Sequence, residues 1–186
     1  MAARWEWRAF GSSFGDAEER FGEPERVQES DEVYLVSRLT DANVKVRDDL
    51  LDVKQLEHVD DEGLEQWTPV LKAEFPVPAD QVAAVLDRLG VTVELSRDAY
   101  SLDELIGEVV GSGPELRAVR VHKRRQRYTI NGCMSELTDL DTDVGDTRTV
   151  AVESEDAAAV IAAVRDLGLG DLTNTSFPRG LKALAE

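Results

Sequence analysis

The residues of greatest chemical reach are cations and carboxylates set two apart on short alternating runs. Lys45 and Arg47 alternate with Val44 and Val46, and Asp52 and Lys54 with Leu51 and Val53. Lys123, Arg125 and Arg127 form the densest basic set. Arg4, Glu6 and Arg8 share a parity opposite Trp5, Trp7 and Ala9, while Glu153 and Glu155 oppose Val150 and Val152. A guanidinium forks onto two oxygens at once, and a Lys ammonium is a compact, rotatable charge. Gathered together, such groups grip an anion rich in acceptor oxygens. Carboxylates interleaved with them relieve the mutual repulsion, and carboxylates can also hold Mg2+ or Mn2+, which take oxygen ligands.

Period-two alternation marks strands with two chemically different faces. It predicts strands over residues 4–10, 44–47, 51–57, 67–75 and 149–155, with weaker alternation over 31–39 and 117–130. In residues 67–75 the pattern sets Lys72 and Glu74 against Trp67, Leu71, Ala73 and Phe75. Helices are predicted from Pro78 to Leu89 with Gly90 as the stop, and from Ser101 to Val110 with Gly111 after it. Two more are predicted over Glu155–Leu167 and Pro178–Ala185. The acidic stretches 16–32, 59–65 and 139–146 read as solvated loops or helix faces.

An ordinary antiparallel sheet also has one wet and one buried face, but its wet face carries mixed polar residues. Here Arg, Lys and Glu recur on nearly every strand. A closed or nearly closed antiparallel barrel, charged inside and covered outside by helices, accounts for both faces, which makes the fold class α+β.

The 186 residues suit one domain, 1–186, and carry a net charge of −17. That acidity argues against a general nucleic-acid or anionic-membrane partner, which needs a basic surface. The run Val121–Arg127 is therefore read as one strand with Lys123, Arg125 and Arg127 inward and His122 and Arg124 outward. No apolar run has the length of a membrane span and the N-terminus has no signal-like apolar core, so the expected location is cytoplasmic. Cys133 reads as a small buried hydrophobe, His58 and His122 as ordinary surface or strand residues, and Trp5, Trp7 and Trp67 as outer-face core. Only five residues are lysine, namely Lys45, Lys54, Lys72, Lys123 and Lys182. Many acids with few lysines fit a protein from a salt-rich cytoplasm, although an Arg-biased genome would also lower the lysine count.

The ordered set of motifs resembles the CYTH superfamily, the triphosphate tunnel metalloenzymes. Arg4-x-Glu6-x-Arg8 stands at the family's opening Glu-x-Glu-x-Lys strand, and Lys45-Val-Arg47 and Lys54 at its next basic positions. Lys72-Ala-Glu74 precedes the first long helix, and Lys123-x-Arg125-x-x-Tyr128 matches the second basic strand. Gly132, then Glu136 and Asp139 or Asp141, fit the following hairpin. Glu153-x-Glu155 and Ser176-Phe-Pro-Arg179-Gly-Leu-Lys182 resemble the closing segments. All five lysines fall on these motifs.

The resemblance implies hydrolysis of a small phosphorylated anion: inorganic, nucleoside or thiamine triphosphate. Arg8, Lys45, Arg47, Lys54, Lys72, Lys123, Arg125, Arg179 and Lys182 are the expected phosphate-binding residues. Glu6, Glu153 and Glu155 are the expected catalytic and metal-holding carboxylates, with Glu136 as a further metal ligand for Mg2+ or Mn2+. Arg4 departs from the pattern, standing where the family has its first glutamate. A member that binds phosphates without metal chemistry, a class IV adenylyl cyclase, and an unrelated α+β protein with salt-bridged strands stay open.

Overall fold

The computed structural model describes residues 2–186. Its strands are β1 (Arg4–Gly11), β2 (Arg26–Ser37), β3 (Asn43–Arg47), β4 (Leu50–Val59), β5 (Glu65–Glu74), the two-residue pair β6 (Val77–Pro78) and β7 (Ala99–Tyr100), β8 (Leu116–Ile130), β9 (Cys133–Thr142) and β10 (Thr147–Ser154). The helices are α1 (Asp16–Phe21), α2 (Ala79–Arg88), α3 (Leu102–Glu104), which runs on through a wider turn over Leu105–Val109, α4 (Ala157–Asp166) and α5 (Phe177–Ala185). Eight strands close an antiparallel barrel in the order β1-β10-β9-β8-β2-β3-β4-β5. This is the fold class expected from the alternation, and its strands run longer than the sequence pattern suggested.

The outward parity supplies two apolar layers. Val33, Leu35, Val44, Val46, Leu51 and Val53 are buried with Val82, Val85 and Leu86 of α2 and with Leu105 and Val109. Trp7, Cys133, Leu137, Val150 and Val152 are buried with Val160, Ala163 and Val164 of α4. Helix starts follow local chemistry. Ser101 and Glu104 form a reciprocal capping box, and the Asp156 carboxylate accepts from the amides of Ala158 and Ala159. Cys133 is fully buried, as its type suggested.

A third layer lies inside the barrel. The inward residues Tyr34, Val36, Val119, Val121 and Leu140 are buried with Phe177 and Leu181 of α5. The last helix therefore fills one end of the lumen. Gly180 permits this approach, because a side chain there would overlap the Phe10 ring. β1 and β5 pair only over Arg4–Glu6, and the segment before α5 closes the rest of that seam. The Arg8 amide donates to Asn174 Oδ1 (2.9 Å), the Asn174 amide group donates to the Glu6 and Gly63 carbonyls, and the Thr175 amide donates to the Arg8 carbonyl at 2.7 Å.

The structure corrects four expectations. Residues 26–32 are strand, and within this acidic stretch Glu32 is 2% exposed. Glu65 is likewise buried in β5, and residues 139–142 belong to β9. Trp67 faces the lumen, not the outer core: it pairs with Arg4 and lines the barrel mouth beside Lys54 and Lys72. The cause is a register shift at Val53/Lys54, where Val53 pairs with Leu71 but Lys54 with Pro69. The extra residue, Val70, reverses the parity of the rest of β5.

Candidate functional site: a cationic chamber in the barrel

Inward side chains from β1, β3, β4, β8, β9 and β10 line a chamber of about 220 Å³. Its cations are Arg8, Lys45, Arg47, Lys54, Lys123, Arg125 and Arg127, against the carboxylates Glu6, Glu136 and Glu153. A chain of net charge −17 thus encloses a local excess of positive charge. The inward and outward assignments along Val121–Arg127 hold: Lys123 and Arg125 are buried, Arg127 lines the chamber, and His122 and Arg124 are exposed.

Glu32 and Glu136 organise the cations. Lys123 Nζ lies 2.7 Å from Glu32 Oε2 and donates to the Tyr34 hydroxyl (2.6 Å), which itself donates to Glu32 Oε2 (2.8 Å). Arg47 and Arg125 each approach Glu32 Oε1 at 3.5 Å. Burial alone would favour a protonated Glu32, but Lys123 and Lys45 hold it well below the usual carboxylate range. On the other wall Glu136 takes Arg8 at 3.3 Å and Arg125 at 3.0 Å. The Arg125 Nε–H is not aligned for a hydrogen bond, so that contact is an ion pair only. Those cations outweigh burial and hold Glu136 at about 2. For Lys123 burial wins over the pull of Glu32, with Arg125 and Lys45 adding repulsion, and brings the amine down to about 7.

Glu6 and Glu153 are cross-strand partners on β1 and β10. Burial favours the neutral form of Glu6, but Arg8, at 3.1 Å, and Lys54 more than offset it. Glu153 is raised instead, by burial and then by the Glu6 carboxylate; its ion pair is to Arg4 at 3.8 Å. Two adjacent carboxylates, one of them weakly paired, fit a divalent ion that takes its remaining ligands from phosphate and water. They do not make a cage: among the described residues no group of three or more His, Cys, Asp or Glu side chains could hold a metal ion. Of the other expected ligands, Glu136 is committed to Arg8 and Arg125, and Glu155 lies past the end of β10 at the exposed mouth.

Lys72 also lies at the mouth, with Arg4 and Trp67. Two expected phosphate ligands are not brought to the chamber. Arg179 pairs with Glu65, Lys182 pairs with Asp41 and donates to the Thr40 carbonyl, and both line a groove on the far side of α5. Tyr34, Asn43, Ser135 and Phe177 join the chamber without having been singled out in the sequence, as does Glu32 behind its wall. Glu32 and Tyr34 share the parity of Ser30, a signal masked by the acidic residues around it.

A closed antiparallel barrel with outer helices and an interior of Lys, Arg and Glu is the arrangement that resemblance to the triphosphate tunnel family implies. No family model matches the sequence, and no curated protein matches it. Among solved structures, HpAC1 from Hippeastrum, described as showing a dominant triphosphatase activity, is 14% identical with a TM-score of 0.47, over 89% of this chain and 88% of that one. A conserved hypothetical protein from Pyrococcus furiosus is 19% identical with a TM-score of 0.48, over 95% and 96% of the two chains. A Bacillus halodurans protein described as a candidate adenylate cyclase is 8% identical with a TM-score of 0.48, over 95% and 97%. At such identities and scores, what these proteins bind or catalyse is not carried over to this chain. No helix among the described residues is long and apolar enough to cross a membrane.

Proposed function

We propose that this chain is a phosphohydrolase that binds a triphosphate in the barrel and releases its terminal phosphoryl group with the help of Mg2+ or Mn2+. The observation that carries the reading is the convergence of seven cations from several strands on one enclosed space within a strongly acidic chain. Arg8 and Arg125, fixed by Glu136, present forks to phosphate oxygens, while Lys45, Lys54 and Lys123 supply unforked charge. Water adds across the terminal P–O–P linkage, giving orthophosphate and the shortened phosphate, and the fixed cations stabilise the charge that spreads over the transferring group. Glu6 and Glu153 are the residues that would hold the divalent ion, which when bound neutralises phosphate charge and polarises a phosphoryl oxygen.

The test is orthophosphate release from tripolyphosphate, ATP and thiamine triphosphate with Mg2+ or Mn2+. Glu153→Gln is expected to lower release by at least about a hundredfold, the scale of one lost charge-stabilising group, while tripolyphosphate still binds. Unchanged release by that variant rejects the assignment. A second reading has its own support: the Arg4 guanidinium stands 3.8 Å from Glu153, where it can serve as a built-in cation. In that case the protein captures phosphate chains without turnover. Tight binding of tripolyphosphate that is indifferent to metal, with no phosphate released, selects it. Cyclic AMP as the product of ATP would instead indicate cyclase chemistry.

A further inference from the structure

The inward parity of β2 and β8 turns cationic a second time, away from the chamber. Back along β8 from Lys123 the inward residues are Val121, Val119 and then Arg117. Along β2 they are Tyr34, Val36 and then Arg38, which directly follows the strand and donates its amide to the Glu115 carbonyl at 2.9 Å. Val36 pairs with Arg117, so Arg38 and Arg117 are diagonal neighbours on one face, with backbones about 7–8 Å apart. Both are exposed, and both line the groove of about 770 Å³ on the far side of α5, where Arg179 and Lys182 also emerge. Arg179 and Lys182 are committed to Glu65 and Asp41. Arg38 and Arg117 are not: among the described residues neither has an ion pair or a side-chain hydrogen bond. The groove's remaining acids leave them so. Glu115 folds its carboxylate over Gly113, and Glu186 is exposed at the rim. Two neighbouring guanidinium groups without a counter-charge repel each other, in a chain of net charge −17 that has acids to spare.

We propose that this groove is a second anion site, separate from the chamber, and that it takes a phosphate monoester with a small apolar body. Two guanidinium forks offer more donors than the two oxygens of a carboxylate accept well, whereas a terminal phosphoryl group brings three oxygens and close to two charges. Pro114, Leu116, Ala183 and Ala185 give the groove an apolar wall beside the arginines, which suits the organic part of an ester and not a bare phosphate chain. The inference goes beyond the triphosphate reading and does not rest on it, since none of the chamber's cations takes part.

Calorimetric titration with phenyl phosphate tests this on the wild-type protein, on Arg38→Gln/Arg117→Gln and on the chamber variant Lys54→Gln. Wild type is expected to bind phenyl phosphate, and more tightly than inorganic phosphate. The double variant, changed only at exposed positions, is expected to bind phenyl phosphate at least about tenfold more weakly, the scale of one lost charge-assisted hydrogen bond, and to keep wild-type affinity for tripolyphosphate. Lys54→Gln is expected to do the reverse. The groove site is overturned if wild type does not bind phenyl phosphate, if the double variant binds it like wild type, or if Lys54→Gln weakens it as much as the double variant does. Equal affinity for inorganic phosphate overturns the apolar part of the assignment. Binding of phenyl phosphate without any binding of tripolyphosphate overturns the triphosphate reading and leaves the groove site standing.

Discussion

At the scale of single residues, the chamber depends on how its buried charges share protons. Lys123 titrates near 7, against about 10.4 for a free lysine, because burial and its cationic neighbours outweigh Glu32. Below about pH 7 the amine is charged whether the chain is folded or unfolded. Between about 7 and 10.4 the folded protein has lost the proton and the unfolded chain keeps it, so this residue's contribution to stability rises with pH across that window. An anion seated beside Lys123 favours the charged amine. Tripolyphosphate binding at about pH 8 should therefore take up protons, read as a dependence of the calorimetric heat on the buffer's ionisation enthalpy; identical heats in all buffers would refute it. Glu32 is the complementary case. Its side chain is 0% exposed and shared by Lys123, Arg125 and Arg47. Glu32→Gln leaves those cations without their common counter-charge and should destabilise the ligand-free protein by about 3–5 kcal/mol in urea unfolding, a loss under about 1 kcal/mol counting against this role. The cations were legible in the sequence because Lys and Arg set two apart among apolar residues put their charge on a single face of each strand. Glu32 was not, since an acid inside an acidic run looks solvated until the strands that pair with it are known. The Arg179 and Lys182 motif was visible, but nothing in the spacing told which face of the terminal helix would meet the chamber.

At the scale of elements, most strands and helices followed from period and caps, but β9, whose two faces are both mixed, was not predicted as a strand, and the bulge that turns Trp67 inward is marked in residues 67–75 only by Pro69. The most consequential element is α5. Glycine inside a helix costs about 1 kcal/mol relative to alanine, so Gly180 is unfavourable for the helix alone. Its close approach to Phe10 accounts for it. Gly180→Val should push α5 out of the barrel end, lower stability by about 1–3 kcal/mol as overpacking does, and weaken tripolyphosphate binding by shifting Phe177 away from Lys123. Thermal melts and titrations of the variant check both effects together; a variant that melts and binds like wild type would show that the helix does not seal the lumen.

At the scale of the whole molecule, charge is sorted by side: cations collect within the barrel and the excess of carboxylates lies outside it. Repulsion among exposed acids is screened over about 10 Å in 0.1 M salt and about 3 Å in 1 M salt. The melting temperature of the ligand-free protein should therefore climb between those concentrations of KCl, and a flat or falling profile would contradict the salt-rich setting that the composition suggests.

Closure of the sheet also has a consequence in time. β1 finds its long partner only in β10, some 140 residues later, and its seam with β5 is completed by Asn174 and Thr175. The strand synthesised first thus waits for those synthesised last, and contacts so remote in sequence make for slow assembly. Until they form, the basic stripes of β3 and β8 have Glu32 of β2 between them but no closed lumen around them. A nascent chain in that interval is a set of open, charged hairpins without a chamber.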